Sequence, residues 1–292
     1  MADNRPIVQL HTIDQWLATD PAIRVVILQN IKLKDRLQRY LAALNNTQGS
    51  TVTESHWVKC GRCSSSEHPG YILKEPRYDG IHPSQIISPC MKKIYFDMTG
   101  ESGQENIEPR VRLIFDLGHA IHHMFQTYGL NGAWGPHYKH EVEISGKCQQ
   151  IAADYMIEGH ADADNILTID DIPGSPYIYE VGLVHEYKSI NDNGYSKLKS
   201  AKPDHKAQAI IYAKALNRPI VVYLYLNKND QNLADFPVAY DPVMWERSEG
   251  KIKSLLNYYD SRTPPPGEVG FHCRDCKYIY ICEDYRAAQP RR

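Results

Sequence analysis

In YEVGLVHEYKSI, Glu186 and Lys188 stand two positions apart within a run otherwise apolar enough to form a strand. Successive side chains of a strand alternate faces, so the two charges point the same way. Opposite charges on one face of an apolar strand are costly to bury unless they pair or bind a metal. Upstream, IEGHADAD places Asp162 and Asp164 in a short acidic stretch expected to form a neighbouring strand or turn. A carboxylate at Asp162 beside Glu186 would repel it unless a divalent cation sat between them, and hard oxygen donors suit Mg²⁺ or Mn²⁺. Taken alone, a Glu-x-Lys strand is common and fits a solvated surface hairpin better.

Histidines and amides extend the set. GHAIHHMFQ carries His119, His122 and His123 on one expected helix, with His122 at the border of the apolar stripe, where an imidazole could face inward. In HKAQAIIYAKAL, His205, Gln208 and Tyr212 share a helical face beside the expected active strand. The alternatives are a satisfied core histidine and ordinary helix surface.

The chain has seven cysteines: Cys60, Cys63, Cys90, Cys148, Cys273, Cys276 and Cys282. An odd count in a long chain with two Cys-x-x-Cys pairs favours metal binding over a disulfide scaffold. FHCRDCKYIYIC supplies three thiols, one short of a closed zinc site or an iron–sulfur cluster. Cys60 and Cys63 would complete a zinc ribbon, whereas Cys90 alone would point to a cluster, and spacing leaves that choice open. Separately, His56, Cys60, Cys63 and His68 have the ligand types of a small zinc site.

These residues need elements to hold them. Residues 1–48 read as mostly helical, with Pro21 opening a helix on which Val26, Leu33, Leu37, Tyr40, Leu41 and Leu44 recur. NNTQGS is a polar break, and the expected division is an N-terminal helical extension over 1–80 and a main domain over 81–292. A helix is expected over 83–98, with a kink or break at Pro89 just before Cys90. A second is expected over 109–128, with an apolar stripe of Leu113, Leu117, Ile121, Met124 and Tyr128. HYKHEVEIS, IAADYMIEG, ADNILTID and YIYEVGLVHEYKSI read as strands, PDHKAQAIIYAKAL as a helix, PIVVYLYLNK as a buried strand and 241–260 as a long amphipathic helix. TPPPG is an extended spacer before the last cysteines. That order implies an α/β or α+β fold with a mixed central sheet flanked by helices.

In sequence order, GHAIH, GHAD, EYK and HKAQAIIY, with a cysteine before them and Cys-x2-Cys-x5-Cys after, resemble the RecB-like iron–sulfur branch of the PD-(D/E)XK nucleases. Members of that branch include CRISPR-adaptation exonucleases, AddB-type nuclease domains and phage exonucleases. The resemblance spans about two-thirds of the chain, His82 to Tyr285. It implies a restriction-endonuclease-like core closed by a C-terminal iron–sulfur cysteine segment. By the same resemblance, His122, Asp162, Glu186 and the Tyr187 carbonyl would hold Mg²⁺ or Mn²⁺, with the imidazole favouring manganese. Lys188 would orient or deprotonate a water, and Gln208 and Tyr212 would place the DNA strand. Cys90, Cys273, Cys276 and Cys282 would hold a structural [4Fe–4S] cluster, leaving Cys148 as a buried free thiol. Ala161 stands where a literal Pro-Asp would have proline, and 1–80 has no counterpart.

The expected activity is metal-dependent hydrolysis of DNA phosphodiesters, as an exonuclease on DNA ends or single strands. The alternatives are a nuclease-fold DNA-binding subunit of a recombination, repair or CRISPR-adaptation complex and a zinc-stabilised, non-enzymatic regulator; the expected partners are DNA and either a second copy of the chain or a recombination or CRISPR partner protein. With 42% hydrophobic and 23% charged residues the chain reads as globular. No apolar run reaches the ~18 residues of a membrane span and a signal-peptide layout is missing; the expected location is the cytoplasm, or the host cytoplasm if phage-encoded. A formal net charge of −2 argues against coating nucleic acid by bulk charge. It confines contact to a groove for which Lys92, Lys93, Lys197, Lys199, Lys202 and some of the 20 tyrosines are candidates.

Overall fold

The structure, a computed structural model, describes residues 5–46, 80–104 and 108–289. His56, Cys60, Cys63 and His68, the expected zinc ligands, lie outside the described residues.

Two neighbouring strands form the centre of the sheet because their sequences are almost continuously apolar. The strands are β4 (Ile178–Ile190) and β5 (Ile220–Asn227), paired in parallel from Leu183/Ile220 to Ile190/Asn227. A parallel pair needs a crossover and burial on both faces. Here the crossover contains α7 (Asp192–Ser196) and α8 (Pro203–Ala215). On the other edge of β4, β3 (Gly159–Ile169) runs antiparallel, followed by β2 (Lys139–Ile144), while β6 (Leu233–Ala239) closes the far side against β5. The sheet is therefore mixed, as the element order implied. Pro237 sits in β6, an edge strand where a missing amide is tolerated. That strand and the four-residue β1 (Ile7–Leu10) are too short or too polar to read as strands from sequence.

Helices cover both faces. On one side α4 (Met91–Met98), α8 and α9 (Pro242–Asp260) pack on Val184, Tyr223 and Tyr225. On the other, α1 (Ile13–Ala18), α2 (Pro21–Asn30), α3 (Leu33–Asn46) and α5 (Pro109–Leu130) pack on Val181, Leu183, Tyr187 and Leu224. The remaining short helices are α6 (Gln150–Asp154) and α10 (Glu283–Ala288). Among the described residues no helix is long and apolar enough to cross a membrane.

Several expectations change. The segment expected as a mostly helical extension also contributes β1, parallel to β4 from Ile7/Ile178 to Leu10/Val181, and it adds Leu10, Trp16, Ile27, Leu33 and Leu37 to the core. The single helix expected from Pro21 breaks after Asn30. Ile31 and Leu33 lie about 200° apart on a continuous helix, and only the break lets both face the core, at 3% and 0% exposure. The freed amide of Lys34 then donates to Asp235 Oδ2 at 3.0 Å. IAADYMIEG is largely not a strand, since its alanine-rich start forms α6. The helix expected over 83–98 is a 3-10 turn at Pro83–Gln85 and then α4, with the break at Pro89 as proline chemistry requires. Of the stripe expected on α5 only Ile121 is buried: Leu113 and Leu117 are exposed and Met124 and Tyr128 half-buried, while Phe125, outside the stripe, is buried.

Two glycines separate tight from open sites. A Cβ at Gly182 of β4 would meet the His11 carbonyl oxygen at 2.5 Å, whereas one at Gly118 of α5 has nothing within 4 Å. Gly182→Ala is expected to destabilise by about 1–3 kcal/mol through overpacking. Gly118→Ala is expected to stabilise by about 0.5–1 kcal/mol through helix propensity. Thermal or urea melts of both variants check the opposite signs.

Candidate active site

The ladder between β3 and β4 runs from Ile169/Tyr179 to Ala163/His185 and stops there. The next residues along each strand are Asp162 and Glu186. Instead of a backbone carbonyl, Asp162 Oδ2 accepts the amide hydrogen of Tyr187, at 2.6 Å. The β2 side parts at the same level, because Glu141 adopts φ 46° and no pair forms between it and Asp162. Ala161 therefore packs with α8 and α9 while Ala163 packs with α5. Strand β3 switches faces at Asp162, and that switch is what aims the carboxylate at the end of β4.

The Tyr187 side chain fastens β4 from behind. Its hydroxyl meets Tyr138 at 2.9 Å and His185 Nδ1 at 3.1 Å, and its ring stacks on Trp134 with centroids 5.6 Å apart. Burial pushes the His185 pKa to about 3, so this imidazole is neutral. Within an extended strand the N–H and C=O of one residue point to the same edge, so the Tyr187 carbonyl faces the gap beside Asp162.

On the opposite face the charges form a chain. Lys188 Nζ lies 2.6 Å from Glu186 Oε1 and donates to Gln208 Oε1 at 3.3 Å. Gln208 Nε2 lies 3.4 Å from the Tyr212 hydroxyl. From the Tyr187 face, His122 of α5 places Nδ1 3.0 Å from Asp162 Oδ1. The sequence-derived set His122, Asp162, Glu186, Tyr187, Lys188, Gln208 and Tyr212 is thus assembled in one place from two strands and two helices. Asp164, by contrast, is structural, held by Arg218 through Nε at 2.5 Å and a second nitrogen at 2.8 Å.

Burial sets the protonation of this cluster. It pushes Glu186 up to about 7, against the pull of Lys188 and with the help of the Asp162 charge. Burial also opposes ionisation of Asp162, but His122, Lys188 and the Tyr187 amide bring its carboxyl below the usual range. Desolvation would lower His122, yet Asp162 raises it overall. Lys188 behaves likewise: burial lowers it, and Glu186 and Asp162 more than compensate.

Glu186 Oε2 is buried and has no hydrogen-bond partner. An unpartnered buried carboxylate oxygen is costly. Together with Asp162 and the Tyr187 carbonyl it forms an all-oxygen donor set that suits a hard divalent cation. As the side chains stand, no three His, Cys, Asp or Glu residues among those described are drawn tightly enough to hold an ion. The protein's own cations, Lys188 and His122, occupy the carboxylates. A histidine ligates only as neutral imidazole, so His122 would have to lose its proton before joining the donor set.

The four cysteines assigned through the resemblance lie around one cavity. Cys90 precedes α4, Cys273 lies in a 3-10 turn at Phe271–Asp275, Cys276 follows it and Cys282 precedes α10. All four line one cavity of about 460 Å³. Burial raises the Cys276 thiol, and Cys90 and Cys273 raise it further. The C-terminal segment is docked on α4 by Asp97, which takes Tyr278 at 2.9 Å and Lys277 at 2.7 Å, and by a Lys92–Asp284 contact. Cys148, expected to be buried, is exposed. Lys92 is paired with Asp284 and Lys93 lines the cysteine cavity, whereas Lys197 and Lys199 are exposed and Lys202 half-buried. Many tyrosines, Tyr187, Tyr212, Tyr223 and Tyr225 among them, are core residues. Sequence reasoning missed Tyr138 and His185, which anchor Tyr187, because an apolar strand with one histidine carries no positional signal of its own.

No known protein family and no curated protein matches this sequence. Among solved structures the chain is similar to SSO0001 at 15% identity, over 88% of this chain and 96% of that one, with a TM-score of 0.42. It is also similar to LHK-Exo in complex with dAMP at 12% identity, over 63% and 89% of the two chains, with a TM-score of 0.42. A further similarity is to the alkaline exonuclease LHK-Exo from Laribacter hongkongensis, at 10% identity over the same shares, with a TM-score of 0.33. Likenesses at this level assign no chemistry, which is read from the side chains above.

Because the folded pKa of Glu186 lies above the ordinary carboxylate value, the associated stability is complete below that ordinary value and is lost as pH rises through about 7. A divalent cation held there would take over what the proton supplied. The melting-temperature rise caused by Mg²⁺ or Mn²⁺ is therefore expected to be larger at about pH 8 than at about pH 6, with Glu186→Gln removing the difference. Equal shifts at both pH values in the wild type would contradict the assignment.

Proposed function

We propose that the protein is a metal-dependent DNA nuclease, an exonuclease acting on ends or single strands, with a structural [4Fe–4S] cluster. The observation that carries this reading is Glu186: fully buried, one oxygen on Lys188, the other unpartnered, beside Asp162 at the parting of two strands. Such a group needs a cation, and a cation between two carboxylates next to a fixed lysine suits phosphodiester hydrolysis.

Asp162, Glu186 and the Tyr187 carbonyl would hold Mg²⁺ or Mn²⁺, which when bound polarises a phosphate oxygen and lowers the pKa of a water. Lys188 stays protonated between Glu186 Oε1 and Gln208 Oε1. It donates to the attacking water or to the phosphate where negative charge grows. Gln208 fixes the lysine and is itself steadied by Tyr212. His122 pairs with Asp162 and, as neutral imidazole, would be a further ligand of the cation. Cys90, Cys273, Cys276 and Cys282 would hold the cluster, which reinforces the docking of the chain's end on α4.

Glu186→Gln and Lys188→Ala are each expected to reduce cleavage of end-labelled single-stranded DNA by about 10²-fold or more, with secondary structure and iron content retained. Undiminished cleavage by both variants would remove this strand from the active site. Anaerobically purified protein is expected to be brown, with iron and acid-labile sulfide. Colourless protein holding only zinc would overturn the cluster assignment.

A further inference from the structure

His205 lies one helical turn before Gln208 on α8, half-buried, and takes no part in the carboxylate cluster. Its Nδ1 is 2.7 Å from the Tyr225 hydroxyl, and the two rings stack with centroids 5.6 Å apart at 26°. Tyr225 is the register partner of Lys188 in the β4–β5 ladder, so its side chain stands beside the lysine on the same face. The Tyr225 hydroxyl also accepts the amide hydrogen of Lys202, at 3.0 Å.

Counting protons selects one arrangement. Burial raises the Tyr225 pKa, so its hydroxyl keeps its hydrogen. Burial first, and the Lys188 charge next, hold His205 neutral, with a pKa of about 4. A neutral imidazole carries one N–H. Were it on Nδ1, the Tyr225 oxygen would accept from both neighbours and its own hydrogen would lack an acceptor. With the hydroxyl donating to Nδ1, both contacts of Tyr225 are satisfied, and the ring hydrogen must sit on Nε2. Nε2 makes no hydrogen bond among the described residues. The result is a neutral, pre-oriented donor on the same helical face as Gln208. A second cation next to Lys188 would cost like-charge repulsion, and a neutral N–H does not.

We propose that His205 contacts the substrate directly, its Nε2–H donating to a phosphate oxygen of a single-stranded DNA chain, with Tyr225 as the positioning residue that fixes the tautomer. This inference rests on the nuclease reading. It assigns His205 to strand binding, where loss of the contact weakens ground state and transition state alike.

The test compares wild type, His205→Ala, His205→Gln and His205→Asn on labelled oligothymidylate. Binding is measured with Ca²⁺ across a salt series and cleavage with Mg²⁺. His205→Ala is expected to raise Kd and KM about tenfold, the scale of one hydrogen bond to a charged acceptor. Its kcat is expected to stay within about threefold of wild type. The slope of log affinity on log salt should not change, since a neutral donor releases no counterion, whereas a lost cationic contact would alter it by about 0.7. Gln, whose amide nitrogen reaches the Nε2 position, is expected to restore most of the affinity, and Asn, which reaches only Nδ1, is not. Wild-type KM in His205→Ala, equal loss in the Gln and Asn variants, or a changed salt slope would each overturn the inference. Wild-type protein that cleaves no DNA overturns the nuclease reading itself, a result distinct from all of these.

Discussion

The structure turns on the carboxylate of Asp162 taking the amide hydrogen of Tyr187 in place of a strand carbonyl. Two antiparallel strands held in register would bury Asp162 and Glu186 opposite one another with nothing between them. Ending the ladder at Ala163/His185 opens the sheet by one residue step and leaves both carboxylates at its rim. The amide capped by Asp162 is then satisfied, and the neighbouring carbonyl is left facing the gap. A local defect in the sheet thus becomes a cluster of oxygen donors. Everything else in the site serves to hold that opening at one width.

The holding comes from both faces. Behind the sheet, Trp134, Tyr138 and His185 lock the Tyr187 ring in a buried polar network. Such networks specify one arrangement strongly when their members are paired. In front, Gln208 on α8 fixes Lys188, and α8 is itself pressed against β4 and β5 by the crossover that their parallel pairing requires. The cysteine cavity lies among α4 and the C-terminal segment, apart from the carboxylates.

The central strands, the crossover helix and the long α9 were legible because strand alternation, proline at helix starts and continuous apolar runs are local signals. Glu186, Lys188 and Gln208 were legible for the same reason, each set by a short spacing within one element. What was not legible depends on pairing between distant segments. The left-handed backbone at Glu141, which lets β3 switch faces at Asp162, follows from no residue preference for that conformation. The break at Ile31 follows from which side chains find the core, and helical periodicity alone cannot choose between Val26 and Ile27 as the buried residue. The tautomer of His205 depends on Tyr225, a residue of another strand. The commitment of Lys92 to Asp284 joins positions 192 residues apart.

The most direct test of the account is a crystal of the protein soaked in Mn²⁺ and measured at the manganese absorption edge. An anomalous peak within coordination distance of Asp162, Glu186 and the Tyr187 carbonyl is the expected result, with Lys188 displaced from Glu186 or sharing it with the ion. A map with no peak there, and the Lys188–Glu186 contact intact at saturating Mn²⁺, would contradict the claim that the parted strands form a cation site.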